Sequence, residues 1–286
     1  MADTSPIAEK LLSILNLDVI EVNLFRGQNE DREAGMRLFG GQVLAQALAA
    51  ATLTVDQERI VHSMQGYFLR PGNAKVPVLY SVDRIRDGQS FTTRRVLGIQ
   101  QGEAIFSMSA SFQVEEPGLT HQTHMPQVLP PEELEDDRLV IARVEHITDL
   151  ASSWATRERA FEIRSAYPAD RPRPDNINNP TWIRFRHPLT DDRNLHRLLL
   201  AYASDMGFVG TSFLPHRSIA DKNQLQMASL DHSLWFHRPF LLDEWMLYYR
   251  TSPSSAGSRG FNQGSFYSRA GELVASTMQE GLMRVR

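Results

Sequence analysis

The sequence predicts an α+β protein of two similar units fused in one chain, each a single buried helix wrapped by an antiparallel sheet. Three observations carry this expectation. Two segments, Gln42–Ala51 and Leu195–Met206, read as helices, and the first is rich in Ala and Leu and apolar nearly all round, as a helix enclosed on every side must be. Each is followed by runs that alternate apolar and polar residues and favour β-branched or aromatic side chains. The same landmarks then recur in the same order in both halves. Leu44-Ala45-Gln46-Ala47 matches Leu200-Ala201-Tyr202-Ala203, Arg70-Pro71 matches Arg238-Pro239, and Gly102-Glu103 matches Gly271-Glu272.

The elements follow in chain order. Ser5 before Pro6 marks a helix start, and Ile7, Leu11, Leu12, Ile14 and Leu15 form a stripe that docks it on the body. After the first central helix, strands are expected over Val76–Val82, Phe91–Ile99 and Ile105–Phe112, with turns at Asp87-Gly88 and Gln101-Gly102. Nine of the 15 prolines lie between Pro117 and Pro188, and that region also holds the acidic run Glu132–Asp137. It reads as a long connection with one helix near residues 144–160. After the second central helix come strands at Trp245–Tyr249, Phe261–Tyr267 and Leu273–Met283. The expected units are therefore 1–116 and 179–286, joined by 117–178. One helix wrapped by an antiparallel sheet is the hotdog arrangement, and two such units pack as a pseudo-dimer, a double hotdog.

Composition narrows the function. The chain has 286 residues, enough to bury a sizeable core. It has no cysteine, which excludes disulfides, thiolate metal sites and a cysteine nucleophile. A net charge of -4 without a basic run argues against nucleic acid as a partner, and the apolar stretches are too short for membrane insertion. The N-terminus lacks a signal-peptide pattern, and Met283-Arg284-Val285-Arg286 is not a peroxisomal Ser-Lys-Leu ending, so a cytoplasmic protein is expected. His121 and His124 have no carboxylate or thiol beside them, so no metal is expected.

Several segments together resemble the TesB-type acyl-CoA thioesterase II family over nearly the whole chain. They are Leu24–Gln28, Phe39-Gly40-Gly41-Gln42-Val43, Tyr67–Gly72, Asp87–Phe91 with Arg94-Arg95-Val96, Tyr202-Ala203-Ser204-Asp205, Leu230–Pro239 and Met278-Gln279-Glu280-Gly281. The resemblance implies a double hotdog that hydrolyses medium- to long-chain acyl-CoA, needs no cofactor and assembles as a homo-oligomer. It also implies an Asp, a Thr and a Gln around the attacking water, which fall on Asp205, Ser229 and Gln279. At Ser229 the chain departs from the family: the hydroxyl is kept, and the methyl that restricts χ1 is lost.

The internal repeat bears on the same residues. The helix match puts Ala49 opposite Asp205, the Arg-Pro match puts Val61 opposite Ser229, and the Gly-Glu match puts Ala110 opposite Gln279. All three positions are polar in the second half and apolar in the first. A carboxylate in a buried helix needs partners, and Ser229 and Gln279 are candidates; a plain cap on the helix end near Gly207, or pairing with an Arg, is the alternative. A thioester carbonyl is already activated, so an oriented water and modest base help from Asp205 suffice; attack by Asp205 itself to form an anhydride is the mechanistic alternative. Backbone amides at Phe39–Gln42 are candidate oxyanion donors.

For the phosphates of CoA, Gly88, Ser90 and Arg94 in the first half and Ser258 and Arg259 in the second occupy equivalent hydroxyl- and arginine-bearing turns. Asp231, His232 and Ser233 invite a hydrolase-triad reading, but neighbours on a strand point to opposite faces and cannot converge. Two rivals remain. Asp191–His196, ahead of the second helix, carries the Asp and His types of a hotdog enoyl-CoA hydratase. A non-catalytic acyl-CoA-binding protein would keep the fold and lack the chemistry.

Overall fold

The computed structural model describes residues 5–29, 37–144, 159–170, 178–220 and 224–285. Helix α1 (Pro6–Leu15) is capped by Ser5, whose Oγ accepts from the Ile7 amide, and it buries Ala8, Leu11, Ile14 and Leu15. Strands β1 (Asp18–Glu21) and β2 (Leu24–Gly27) lead to α2 (Gly40–Thr52), in which every residue from Gly41 to Ala51 is buried. Its polar residues are satisfied internally: Gln46 donates to the carbonyls of Ile14 and Gln28 and accepts from Tyr80 Oη. Four long strands complete the first unit: β3 (Arg59–Phe68), β4 (Val78–Asp87), β5 (Phe91–Gln100) and β6 (Glu103–Val114).

The connection is more structured than its composition suggests. It contains a short helix α3 (Asp137–Ala142) and strand β7 (Phe161–Ser165), which pairs with β8 (Asn179–Phe185) at the outer edge of the second unit. The segment before α3 is strapped over that unit: Trp182 Nε1 donates to Leu129 O, and Met125, Val128 and Leu134 pack on a small cluster of Trp182, Trp245, Leu247 and Tyr267. The helix expected near 144–160 falls mostly on residues outside those described. The second central helix is α4 (Arg193–Ser204), followed by β9 (Leu225–Ser229), β10 (Asp231–Phe236), β11 (Met246–Ala256), β12 (Arg259–Ser268) and β13 (Leu273–Val285).

Among the described residues the strands form one sheet ordered β1-β2-β4-β5-β6-β3-β10-β13-β12-β11-β8-β7, with β9 also on β13. The second six strands repeat the first six in reverse, so a pseudo-two-fold axis passes between β3 and β10. The register supports the repeat. The Arg-Pro match equates Met64 with His232 and Gly66 with Leu234, and the sheet pairs Met64 with Leu234 and Gly66 with His232, as a two-fold requires. Each half is a hotdog, and the two helices meet between them, with Phe39 edge-on to Tyr202 at 5.0 Å.

One irregularity falls at the equivalent place in both units. β3 carries a register shift between Val61 and Ser63. At the equivalent place the second unit stops β9 at Ser229 and restarts with β10 at Asp231. A local irregularity of this kind re-aims a side chain without dissolving the sheet. β11 also runs beyond its expected end at Tyr249, because a register shift between Thr251 and Ser254 accommodates Pro253, which cannot donate to a ladder. It then closes on β12 through Gly257 (φ 57°) and Ser258 (φ 60°), a tight two-residue turn rather than a loose loop.

Candidate active site

Asp205 is the C-cap residue of α4 (φ -85°, ψ -10°), and Gly207 at φ 68° turns the chain away behind it. A carboxylate at a helix C-terminus is disfavoured by its own helix dipole. Here it is directed at a helix N-terminus instead. α2 begins at Phe39, which offers no side-chain cap, and the Gly41 amide donates to the Asp205 carboxylate. The close approach explains the glycines. A Cβ on Gly40 would lie 2.6 Å from Asp205 Oδ2, and one on Gly41 would lie 2.3 Å from the Tyr202 carbonyl. The Gly41 amide is thus committed to Asp205 and does not face a substrate oxyanion.

The three residues expected around the water converge. Gln279 Nε2 donates to Asp205 Oδ1 at 2.7 Å and to Ser229 Oγ at 3.1 Å, and Ser229 Oγ lies 3.4 Å from Asp205 Oδ1. Asp205 thus caps the helix end near Gly207 and in addition meets Gln279 and Ser229. Asp205 is only 8% exposed. Burial pushes its carboxyl up from 3.8 to about 6, against the opposing pull of Gln279, Gly41 and Ser229. At neutral pH it is therefore mainly ionised but more basic than an exposed aspartate.

A fourth residue joins them. His232 is fully buried, and its Nδ1 sits 3.1 Å from Gln279 Nε2. Its Nε2 lies 2.9 Å from Ser204 Oγ and 3.1 Å from Thr277 Oγ1. The Asp231-His232-Ser233 triad reading fails for the reason given by strand geometry: His232 faces the interior while its two neighbours do not. His232 nevertheless touches Gln279 of this cluster. The repeat held the signal, since its counterpart Met64 is apolar.

A cavity of about 350 Å³ opens beside this cluster, with Ser229, Leu230 and Gly40 in its wall. Leu38, Val43, Phe68 and Ile105 give it an apolar lining, and Arg37 and Arg70 also border it. The phosphate candidates chosen from sequence lie elsewhere. Arg94 is buried, and its five N–H groups go to Thr54 Oγ1, Thr54 O, Arg86 O, Thr93 O and Asp87 Oδ1. It anchors the end of α2 and has no donor left for a phosphate. Ser90 bonds Glu116, the Gly88 amide bonds Phe91 O, Arg259 bonds Glu280, and Ser258 accepts from the Met283 amide. The structure does not bring these residues to the cavity beside Ser229.

The residues that suggested a hydratase are structural. Asp192 caps α4 by accepting from the Asn194 amide. His196 Nδ1 accepts from the Leu242 amide at 3.0 Å, and its Nε2 meets Thr190 O at 3.1 Å, so both ring nitrogens are engaged with backbone.

Comparisons with known proteins place the whole chain among its relatives. A family model described as acyl-CoA thioesterase matches residues 154–282, and one described as acyl-CoA thioesterase N-terminal domain matches residues 29–113. The chain is 41% identical to acyl-coenzyme A thioesterase 8 of Mus musculus, over 96% of this chain and 88% of that protein. It is 36% identical to acyl-CoA thioesterase 2 of Haemophilus influenzae, over 98% of this chain and 99% of that protein. Among solved structures, acyl-CoA thioesterase II TesB2 from Mycobacterium marinum superposes with a TM-score of 0.80 at 41% identity, covering 97% of this chain and 98% of that one.

Proposed function

Because this chain belongs to the TesB-type acyl-CoA thioesterase II family, we propose that it hydrolyses medium- to long-chain acyl-CoA to free fatty acid and CoA by attack of a water held at Asp205, Ser229 and Gln279. The observation that supports the assignment of roles is the convergence of Gln279 and Ser229 on one buried oxygen of the Asp205 carboxylate, beside an apolar cavity. Asp205 accepts a proton from the water as its oxygen bonds to the thioester carbon. The tetrahedral intermediate then expels the CoA sulfur, which takes that proton back. Gln279 and Ser229 fix the carboxylate and water in line, and such orientation is worth several kcal/mol. Arg37, at the border of the cavity, is a further candidate beside those named from sequence to meet the CoA phosphates.

The acyl chain lies along the apolar lining. Each buried CH₂ contributes about 0.8 kcal/mol, so kcat/KM rises from acetyl-CoA through medium chains and flattens where the cavity ends. Release of free CoA thiol from saturated substrates of about two to about sixteen carbons, below their micelle concentrations, tests this. Absence of turnover on every substrate, with binding retained, would favour a non-catalytic binder; best activity on acetyl-CoA would overturn the chain-length reading. Self-association belongs to the same proposal and is supported by the exposed apolar residues Val19, Ile20 and Val22 on and beside the edge strand β1; light scattering decides it. No helix among the described residues is long and apolar enough to cross a membrane, and a cytoplasmic site of action is part of this reading.

A further inference from the structure

Gln279 presents a chemical ambiguity that its surroundings resolve. An amide has a donor end and an acceptor end of nearly the same shape, and only the donor end can face a carboxylate without repulsion. Nothing in Gln279 itself chooses the orientation. The neighbours that choose it lie behind the carboxylate. Ser204 Oγ donates to Ala201 O at 2.9 Å, and Thr277 Oγ1 donates to Ser233 O at 2.8 Å. Both hydroxyl hydrogens are therefore committed, and both oxygens can only accept from His232 Nε2. His232 must then carry its proton on Nε2 and present a bare lone pair at Nδ1, 3.1 Å from Gln279 Nε2. From this chain of bonds, and resting on the reading of Gln279 as part of the catalytic group, we propose that His232, held by Ser204 and Thr277, is a positioning residue that locks the Gln279 amide with its NH₂ toward Asp205.

The lock has two ends. One Gln279 hydrogen goes to His232, which leaves the other for Asp205 Oδ1 and Ser229 Oγ. The amide oxygen Oε1 is consequently turned away from the carboxylate, and it is a buried acceptor without a hydrogen-bond partner among the described residues. A flipped amide would set Oε1 2.7 Å from a carboxylate oxygen and abolish this arrangement. His232 is not itself the base. Its Nδ1 is 3.9 Å from Asp205 Oδ1, but a neutral ring with its hydrogen on Nε2 has nothing to donate there. Burial also pushes the imidazole down to about 3, so it stays neutral across the working range.

The repeat makes the assignment specific. The matches that place Asp205, Ser229 and Gln279 opposite Ala49, Val61 and Ala110 also place Ser204, His232 and Thr277 opposite Leu48, Met64 and Met108. All six first-unit residues are buried and apolar, so the fold does not need a polar group at any of these places. The polar set is present only where the carboxylate is.

Kinetics on four variants and one spectroscopic measurement test the proposal. His232→Met installs the residue the first unit already holds at that place. It should lower kcat roughly tenfold or more with KM within twofold, because only orientation is lost. His232→Asn, whose Oδ1 can replace Nδ1 as acceptor, should recover most of that loss. The double variant His232→Met/Gln279→Ala should be no slower than Gln279→Ala alone, since both act through one amide. Losses that multiply, or a folded His232→Met protein within threefold of the parent, would overturn the proposal. A fully active Gln279→Ala protein would instead sink the reading of the site on which it rests. Nitrogen-15 NMR of the unmodified protein, assigned through His232→Asn, bypasses any folding defect: the Nε2–H tautomer is expected, and an Nδ1–H tautomer would refute the lock outright.

Discussion

Replacing Asp205 with Asn separates what the carboxylate does for the reaction from what it does to the fold. Burial moves this carboxyl from 3.8 to about 6. A displacement of that size favours the protonated form in the folded state by roughly 3 kcal/mol. Below the unfolded value the acid is neutral in both states, and that contribution is whole. As pH rises from 3.8 towards 6 the unfolded chain ionises first, and the contribution is lost. Above the folded value the ionised carboxylate stays buried, and the deficit is constant. Asn carries no charge at any pH and escapes it. The variant should therefore gain on the parent by up to about 3 kcal/mol between about pH 4 and about pH 7.5 in urea denaturation. At the acid end the comparison is even, because a protonated carboxyl and an amide each keep one good acceptor for the donors of Gly41, Gln279 and Ser229. Activity moves the other way. The parent's kcat should rise through about pH 6 and level off, and the variant should lose roughly 10²-fold or more with little change in KM. A variant within threefold of the parent would refute the role of the carboxylate as base. A stability difference independent of pH would refute its burial in the ionised state.

Ser229→Ala should lose roughly tenfold in kcat and Ser229→Thr should retain activity, since only the hydroxyl meets Asp205 and Gln279; equal rates for Ala and Ser would remove the hydroxyl from the group. Gly40→Ala places a methyl 2.6 Å from Asp205 Oδ2 and should depress kcat far more than stability, whereas Gly41→Ala meets the Tyr202 carbonyl at 2.3 Å and should lower the melting temperature as well. Ala49→Asp buries an unpaired charge in the first unit, should destabilise by about 3 kcal/mol or more and should create no second site; a stable variant would show the helix match to be wrong.

The two-unit fold was legible because duplication writes each landmark twice, and period-two alternation with punctuating glycines marks strands well. Asp205, Ser229 and Gln279 were named from family resemblance, and their apolar counterparts gave an independent reason to look there. His232, Ser204 and Thr277 escaped, although the same matches would have exposed them at Met64, Leu48 and Met108. The adjacency of Asp231, His232 and Ser233 bears only on whether they converge on one another, and what a single inward histidine touches is set by residues distant in sequence, Ser204 and Thr277. The surroundings of the phosphate candidates were hidden for a different reason. Whether an arginine faces solvent or carbonyls depends on what lies across the fold, and Thr54, which holds Arg94, is distant in sequence. Strand β7 was hidden by prolines and charges on either side, because an outer strand can be paired on one edge only and needs little apolar signal of its own.

The pseudo-two-fold axis has a genetic consequence. In a dimer of identical single hotdogs every codon is read into both seams, so a carboxylate introduced at one helix end appears at the other, and any damage it does to the core is doubled. Fusion into one chain removes that constraint. Here the α4 end carries Asp205 and its polar partners while the equivalent first-unit positions keep Leu48, Ala49, Val61, Met64, Met108 and Ala110 as plain packing. Each half can thus drift under its own selection, and a symmetric scaffold can carry a polar cluster at one of its two equivalent places only.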